Sequence, residues 1–129
     1  MSELTCLELS VVLWIVHVVL QALYGNVELQ AGYLFTSRDK PPPAPSGLFF
    51  GRSTRALANY VENLTPFVAL ALALIVTQRA RGLGATIWIV ARVVYIPLYL
   101  FDVAYARTAV WAISIVGLVM MLTRLAFAS

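Results

Sequence analysis

The chain has 129 residues, of which 61% are hydrophobic and 12% charged, and its formal net charge is +3. A soluble domain carries about 25% charged and about 45–50% apolar residues, so this composition excludes an ordinary water-soluble globule; a mean hydropathy of +0.86 agrees. The basic balance reflects loop arginines facing anionic headgroups rather than a nucleic-acid partner, since no basic patch with interleaved aromatics occurs.

At about 20 residues per crossing, the length accommodates four membrane helices with short connections apart from one. The chain is expected to be a single all-α domain over residues 1–129, an integral membrane four-helix bundle. Ahead of the first apolar run stand Glu3 and Glu8, not a basic segment, so that run is read as retained rather than as a cleaved signal. Cys6 is the one cysteine; it cannot form an internal disulfide and reads as a small buried or lipid-facing apolar residue. No Cys/His spacing fits a metal, and no metal site is expected.

The first span is placed over about residues 4–24. It contains His17, expected to hydrogen-bond between helices. A long loop follows over about residues 25–52, with Ser37-Arg38-Asp39-Lys40 and then Pro41-Pro42-Pro43-Ala44-Pro45. Proline fixes φ and lacks a donor, so this stretch is extended. The second span is placed over about 53–78, with Ser53 as N-cap and a kink or local unwinding at Pro66. A basic Gly-containing turn leads to the third span over about 85–101, which carries Pro97. A short turn at Asp102 leads to the fourth, over about 108–127, whose Gly, Ala and Ser content suits close packing. Asp102 is expected at a helix end or paired with Arg107. Trp88, Tyr105 and Trp111 are expected near the span ends as interfacial anchors.

Arg38, Lys40, Arg52, Arg55 and Arg107 fall on the long-loop side, against Arg79, Arg81 and Arg124 on the other. The excess of basic residues puts the long loop in the cytoplasm and both termini outside.

The second and third spans carry groups a plain hydrophobic bundle does not need. Arg55, Asn59 and Glu62 stand at offsets of four and seven and share one helix face. Arg92, Tyr95 and Tyr99 share another at offsets of three and seven. Glu62 and Arg92 each lie roughly 15 Å from the long-loop side, so they are expected to pair. A lone charge at mid-bilayer costs about 2.5–3.5 kcal/mol on insertion scales. Such a pair could simply register two helices; the accompanying Asn59 and tyrosines favour a polar cavity for a charged small molecule.

Two segments then resemble a known family. Arg55-Ala56-Leu57-Ala58-Asn59-Tyr60-Val61-Glu62-Asn63-Leu64-Thr65-Pro66-Phe67 is similar to the RAxxNxxExxPF-type signature of the MAPEG family, membrane-associated proteins in eicosanoid and glutathione metabolism. Ala91-Arg92-Val93-Val94-Tyr95-Ile96-Pro97-Leu98-Tyr99 resembles the family's ARxxYxxxY pattern, and Arg107-Thr108 resembles the Arg-Ser that opens its fourth helix. The pattern is most like a bacterial branch, with Ala58 where some members have arginine and Tyr95 where some have histidine.

The resemblance implies a homotrimer that binds glutathione between subunits. It implies that Asn59 and Glu62 hold the peptide backbone, Glu62 at the amine, and that Arg92, Tyr95 and Tyr99 line the same cavity. Arg38 and Arg55 would meet the carboxylates, and Arg107 would be the catalytic residue that stabilises the thiolate. A nearby cation lowers a thiol pKa, so this chemistry is coherent on physical grounds as well. The implied activity is a glutathione-dependent transferase or peroxidase acting on a lipophilic electrophile delivered by the membrane lipids. The alternatives are a non-catalytic binding or structural protein with the same fold, and a small-molecule transporter.

Overall fold

The computed structural model describes residues 1–30 and 32–127. Its helices are α1 (Glu3–Glu28), α2 (Phe49–Val76), α3 (Leu83–Leu100) and α4 (Ala104–Phe127), with one 3-10 turn at Tyr33–Phe35 between α1 and α2. All four long helices are apolar enough to cross a bilayer. Even α3, at 18 residues, extends about 27 Å. The chain is an integral, multi-pass membrane protein built as an all-helical four-helix bundle.

The pairs α1–α2 and α3–α4 pack most extensively, while α1 and α4 do not meet among the described residues. The third helix is the most enclosed. Its Trp88 is fully buried and stacks on Phe67 of α2, with ring centroids 3.9 Å apart and planes 6° apart. Counting along the sequence puts Trp88 near a span end, but its helix face points into the core, so it is not an interfacial anchor. Tyr105, in contrast, is 94% exposed. Val12, Ile15 and Val19 of α1 and Ile113, Val116 and Val119 of α4 are exposed as well, as expected of side chains whose solvent is lipid.

The α3–α4 crossing is close because glycines meet. A Cβ on Gly84 would lie 2.8 Å from the Gly117 carbonyl oxygen, and one on Gly117 would lie 2.8 Å from that of Gly84. Small residues let membrane helices approach until van der Waals packing replaces the missing hydrophobic drive.

The helix ends are closed by side chains distant in sequence. The Glu28 carboxylate accepts from the backbone N–H groups of Phe49 (3.0 Å) and Phe50 (2.9 Å). It thereby caps α2, which begins four residues before the expected Ser53; Ser53 lies inside the first turns and donates to the Phe50 carbonyl. Glu3 Oε1 accepts from the N–H groups of Arg81 (2.7 Å) and Gly82 (2.6 Å) ahead of α3. Arg52 donates to the carbonyl of Leu100 at the end of α3, and Arg79 to that of Leu125 near the end of α4. These contacts satisfy donors and acceptors that a helix terminus leaves open.

Three other expectations change. Helix α2 continues without interruption through Pro66, so of the kink or local unwinding expected there, the unwinding does not occur. His17 does not bond between helices: its Nδ1–H donates to the Leu13 carbonyl of its own helix at 2.8 Å, and the ring stacks on Tyr60 of α2 with centroids 4.5 Å apart. Helix α1 runs on through Gly25 to Glu28, with Gly25 packed beneath Leu34 and Phe50.

Candidate functional site

The polar face of α3 forms the centre of the site. Arg92 is 1% exposed. Its Nη1 donates to Asn59 Oδ1 of α2 at 2.8 Å. Its guanidinium carbon lies 5.3 Å from the Tyr95 ring centroid and 5.8 Å from that of Trp88. The aromatic faces offset part of the cost of burying a cation, but Nε and Nη2 have no hydrogen-bond partner among the described residues.

The expected Glu62–Arg92 ion pair does not form. Glu62 is exposed on the outer side of α2, and the ion pairs among the described residues both involve Asp102. Equal depth in the membrane is necessary for pairing but does not fix direction. Glu62 stands three residues from Asn59, which rotates it by about 60° around the helix. That rotation carries it off the interface where Arg92 points.

Asn59, Tyr95 and Arg107 line one cleft of about 190 Å³, together with Thr108 and Trp111 of α4. Tyr99 packs against Tyr95, with centroids 5.4 Å apart, and its ring lies 4.7 Å from the Arg107 guanidinium carbon. Of the residues singled out in the sequence, the fold therefore gathers Asn59, Arg92, Tyr95, Tyr99 and Arg107. Arg55 stays on the exposed face of α2, its guanidinium close over Gly51. Arg38 sits in the long loop and donates to the Leu34 carbonyl at 3.2 Å; it is not brought to the cleft.

Three participants were not picked out as site residues. Thr108 and Trp111 follow Arg107 by one and four residues, and the i, i+4 spacing that puts Trp111 beside Arg107 was available as a signal. Asp102 had been linked with Arg107 but not with a second cation. It accepts from Arg107 at 3.4 Å and from Arg52 at 3.3 Å, with its own backbone in the left-handed region at φ 59°. The Arg52 contact depends on the start of α2 meeting the turn between α3 and α4 and has no signature in the sequence.

A buried arginine, an asparagine, two tyrosines and a second arginine are thus gathered where α2, α3 and α4 meet. The model of the MAPEG family matches residues 7–127. The chain belongs to the MAPEG family. No curated protein and no solved structure matches it. Membership accounts for the membrane four-helix bundle and links the chain to a family that is in general associated with glutathione.

Proposed function

We propose that this MAPEG protein is a glutathione-dependent transferase or peroxidase acting on lipophilic electrophiles. The observation that supports this most directly is the convergence of Asn59, Tyr95 and Arg107 on one cleft, with Arg92 bonded behind Asn59. Glutathione offers two carboxylates, an ammonium and a thiol. Asn59 binds and orients its peptide backbone and is itself held by Arg92, with Tyr95 and Tyr99 on the cavity side of α3. Glu62, Arg55 and Arg38 stand outside the cleft of a single chain; they take the ammonium and the carboxylates of a ligand that lies across the boundary with a neighbouring copy. Arg107, at the mouth, holds the thiolate. The sulfur forms a bond to the electrophilic carbon, the leaving group departs with its electron pair, and the thiol proton passes to water.

The site is completed in a homotrimer. A cleft of about 190 Å³ falls below the roughly 300 Å³ at which small-molecule pockets begin. Glu62 faces out of the bundle with no cation partner among the described residues, and an unpaired carboxylate at that depth is costly. A neighbouring copy against α2 supplies both the missing wall and, with glutathione bound, the countercharge. The cleft lies on the long-loop side, which in this reading is cytoplasmic, in a bacterial inner membrane.

A non-catalytic binding protein is the second reading. The Arg107–Asp102 contact favours it, because a carboxylate beside Arg107 offsets the charge that would stabilise a thiolate. Conjugation of a chlorodinitrobenzene-type electrophile by the purified protein separates the two. The enzyme reading predicts glutathione-dependent turnover that falls at least about tenfold in Arg107→Ala, as expected on losing one charge-stabilising donor. Full turnover in that variant contradicts the assignment of Arg107, and glutathione binding without turnover supports the second reading.

A further inference from the structure

At the end of the bundle opposite Arg107, the α2–α3 turn and the last turn of α4 enclose a second, larger cleft of about 390 Å³. Arg81 and Arg124 stand at its rim, Glu3 is on its wall, and Leu83, Met120 and Phe127 form much of its apolar side. Its size is within the range of small-molecule sites.

The charge here is unbalanced. Oε1 of Glu3 is committed to the backbone N–H groups of Arg81 and Gly82. Arg124 Nε donates to the Arg79 carbonyl, and Arg79 Nη1 to the Leu125 carbonyl. Neither of these arginines nor Arg81 forms an ion pair among the described residues; the pairs that exist sit at Asp102, at the far end of the bundle. The Arg81 side chain makes no hydrogen bond within the described chain, and the residue is exposed.

The position gives this charge a meaning. Arg81 lies in the turn beyond the end of α2, and Arg124 in the last turn of α4, so both guanidinium groups stand at headgroup depth. Leu83 and Phe127 beside them are 60% and 82% exposed and continue the cleft toward hydrocarbon. A ligand that fits has an anionic, multiply accepting head and an apolar tail. Guanidinium groups favour phosphate oxygens through paired, charge-assisted hydrogen bonds.

We propose that this cleft is a binding site for an anionic phospholipid, with the phosphate held between Arg81 and Arg124 and an acyl chain lying along Leu83, Met120 and Phe127. The site is independent of the thiol chemistry assigned to the other end. An anionic lipid is favoured over a zwitterionic one because, among the described residues, the arginines of the cleft outnumber its one carboxylate, Glu3.

Lipid retention by native mass spectrometry and thermal unfolding, both on protein purified in detergent, test this. Phosphatidylglycerol should be retained and should raise the unfolding temperature more than phosphatidylcholine at equal mole fraction. In Arg81→Gln/Arg124→Gln, affinity for phosphatidylglycerol should fall about tenfold or more, the scale of a lost charge-assisted bond, while Lys40→Gln in the long loop leaves it unchanged. Should the double variant fail to fold, Arg81→Gln alone suffices, since that side chain supports nothing else, and it should weaken retention in the same direction. Equal stabilisation by the two lipids, undiminished phosphatidylglycerol binding in the Arg81 variant, or an equal effect from inorganic phosphate would each overturn the proposal.

Discussion

Arg92 Nη1 donates to Asn59 Oδ1 at 2.8 Å across the α2–α3 interface, and this is the sole hydrogen bond the Arg92 guanidinium makes among the described residues. A buried cation is thus tethered by a neutral amide rather than by an acid. The carboxylate nearest in depth, Glu62, faces outward on the same helix as Asn59.

This arrangement predicts strong coupling. Asn59→Leu leaves Arg92 buried with no partner and should cost about 3 kcal/mol, the scale of an abandoned buried charge. Adding Arg92→Met removes that charge, and the double variant should recover part of the loss. Thermal or denaturant unfolding of the four proteins of the cycle reads the coupling; additive losses would contradict it.

The glycine contact between α3 and α4 makes a second prediction. In Gly117→Ala the new methyl would sit 2.8 Å from the Gly84 oxygen and 3.0 Å from the Trp88 nitrogen. Both are backbone atoms that cannot swing aside, so the helices must separate. Overpacking of this kind costs about 1–3 kcal/mol. Gly47→Ala, whose Cβ meets the Glu28 side chain instead, should be milder. Unfolding measurements on the two variants should rank them in that order.

Glu28→Ala should uncap α2. It removes the acceptor for Phe49 and Phe50 N–H, a loss worth about 0.5–2 kcal/mol on the scale of N-cap deletions. Because the same carboxylate is packed against Gly47, the loop connecting α1 to α2 should loosen. Hydrogen exchange at Phe49 and Phe50 should accelerate while exchange in the centre of α3 does not.

Much of this protein was legible in the sequence, and the failures have a common cause. The four helices follow from hydropathy, and the gathering of Asn59, Arg92, Tyr95 and Tyr99 follows from helical spacing within each span. What spacing cannot supply is rotation about the helix axis. Trp88 was assigned to the interface and Glu62 to Arg92 from depth alone, and in both cases the direction of the side chain decided otherwise. The helix starts were misplaced for a related reason. Ser53 has the chemistry of an N-cap, but α2 is capped by Glu28, 21 residues upstream of Phe49, and that contact exists only once the loop has folded back. Arg52, near the start of α2, and Asp102, in the turn between α3 and α4, likewise meet where no local pattern connects them.

The central claim is that the polar face of α2 and α3 binds glutathione, and its most direct test is thermal stability with and without glutathione. A ligand that binds the folded state adds about 2.7 kcal/mol at a concentration one hundred times its dissociation constant. The account predicts a saturable rise in unfolding temperature for the native protein and a much smaller one for Glu62→Gln. An unfolding temperature that glutathione leaves unchanged up to saturating millimolar levels would contradict it.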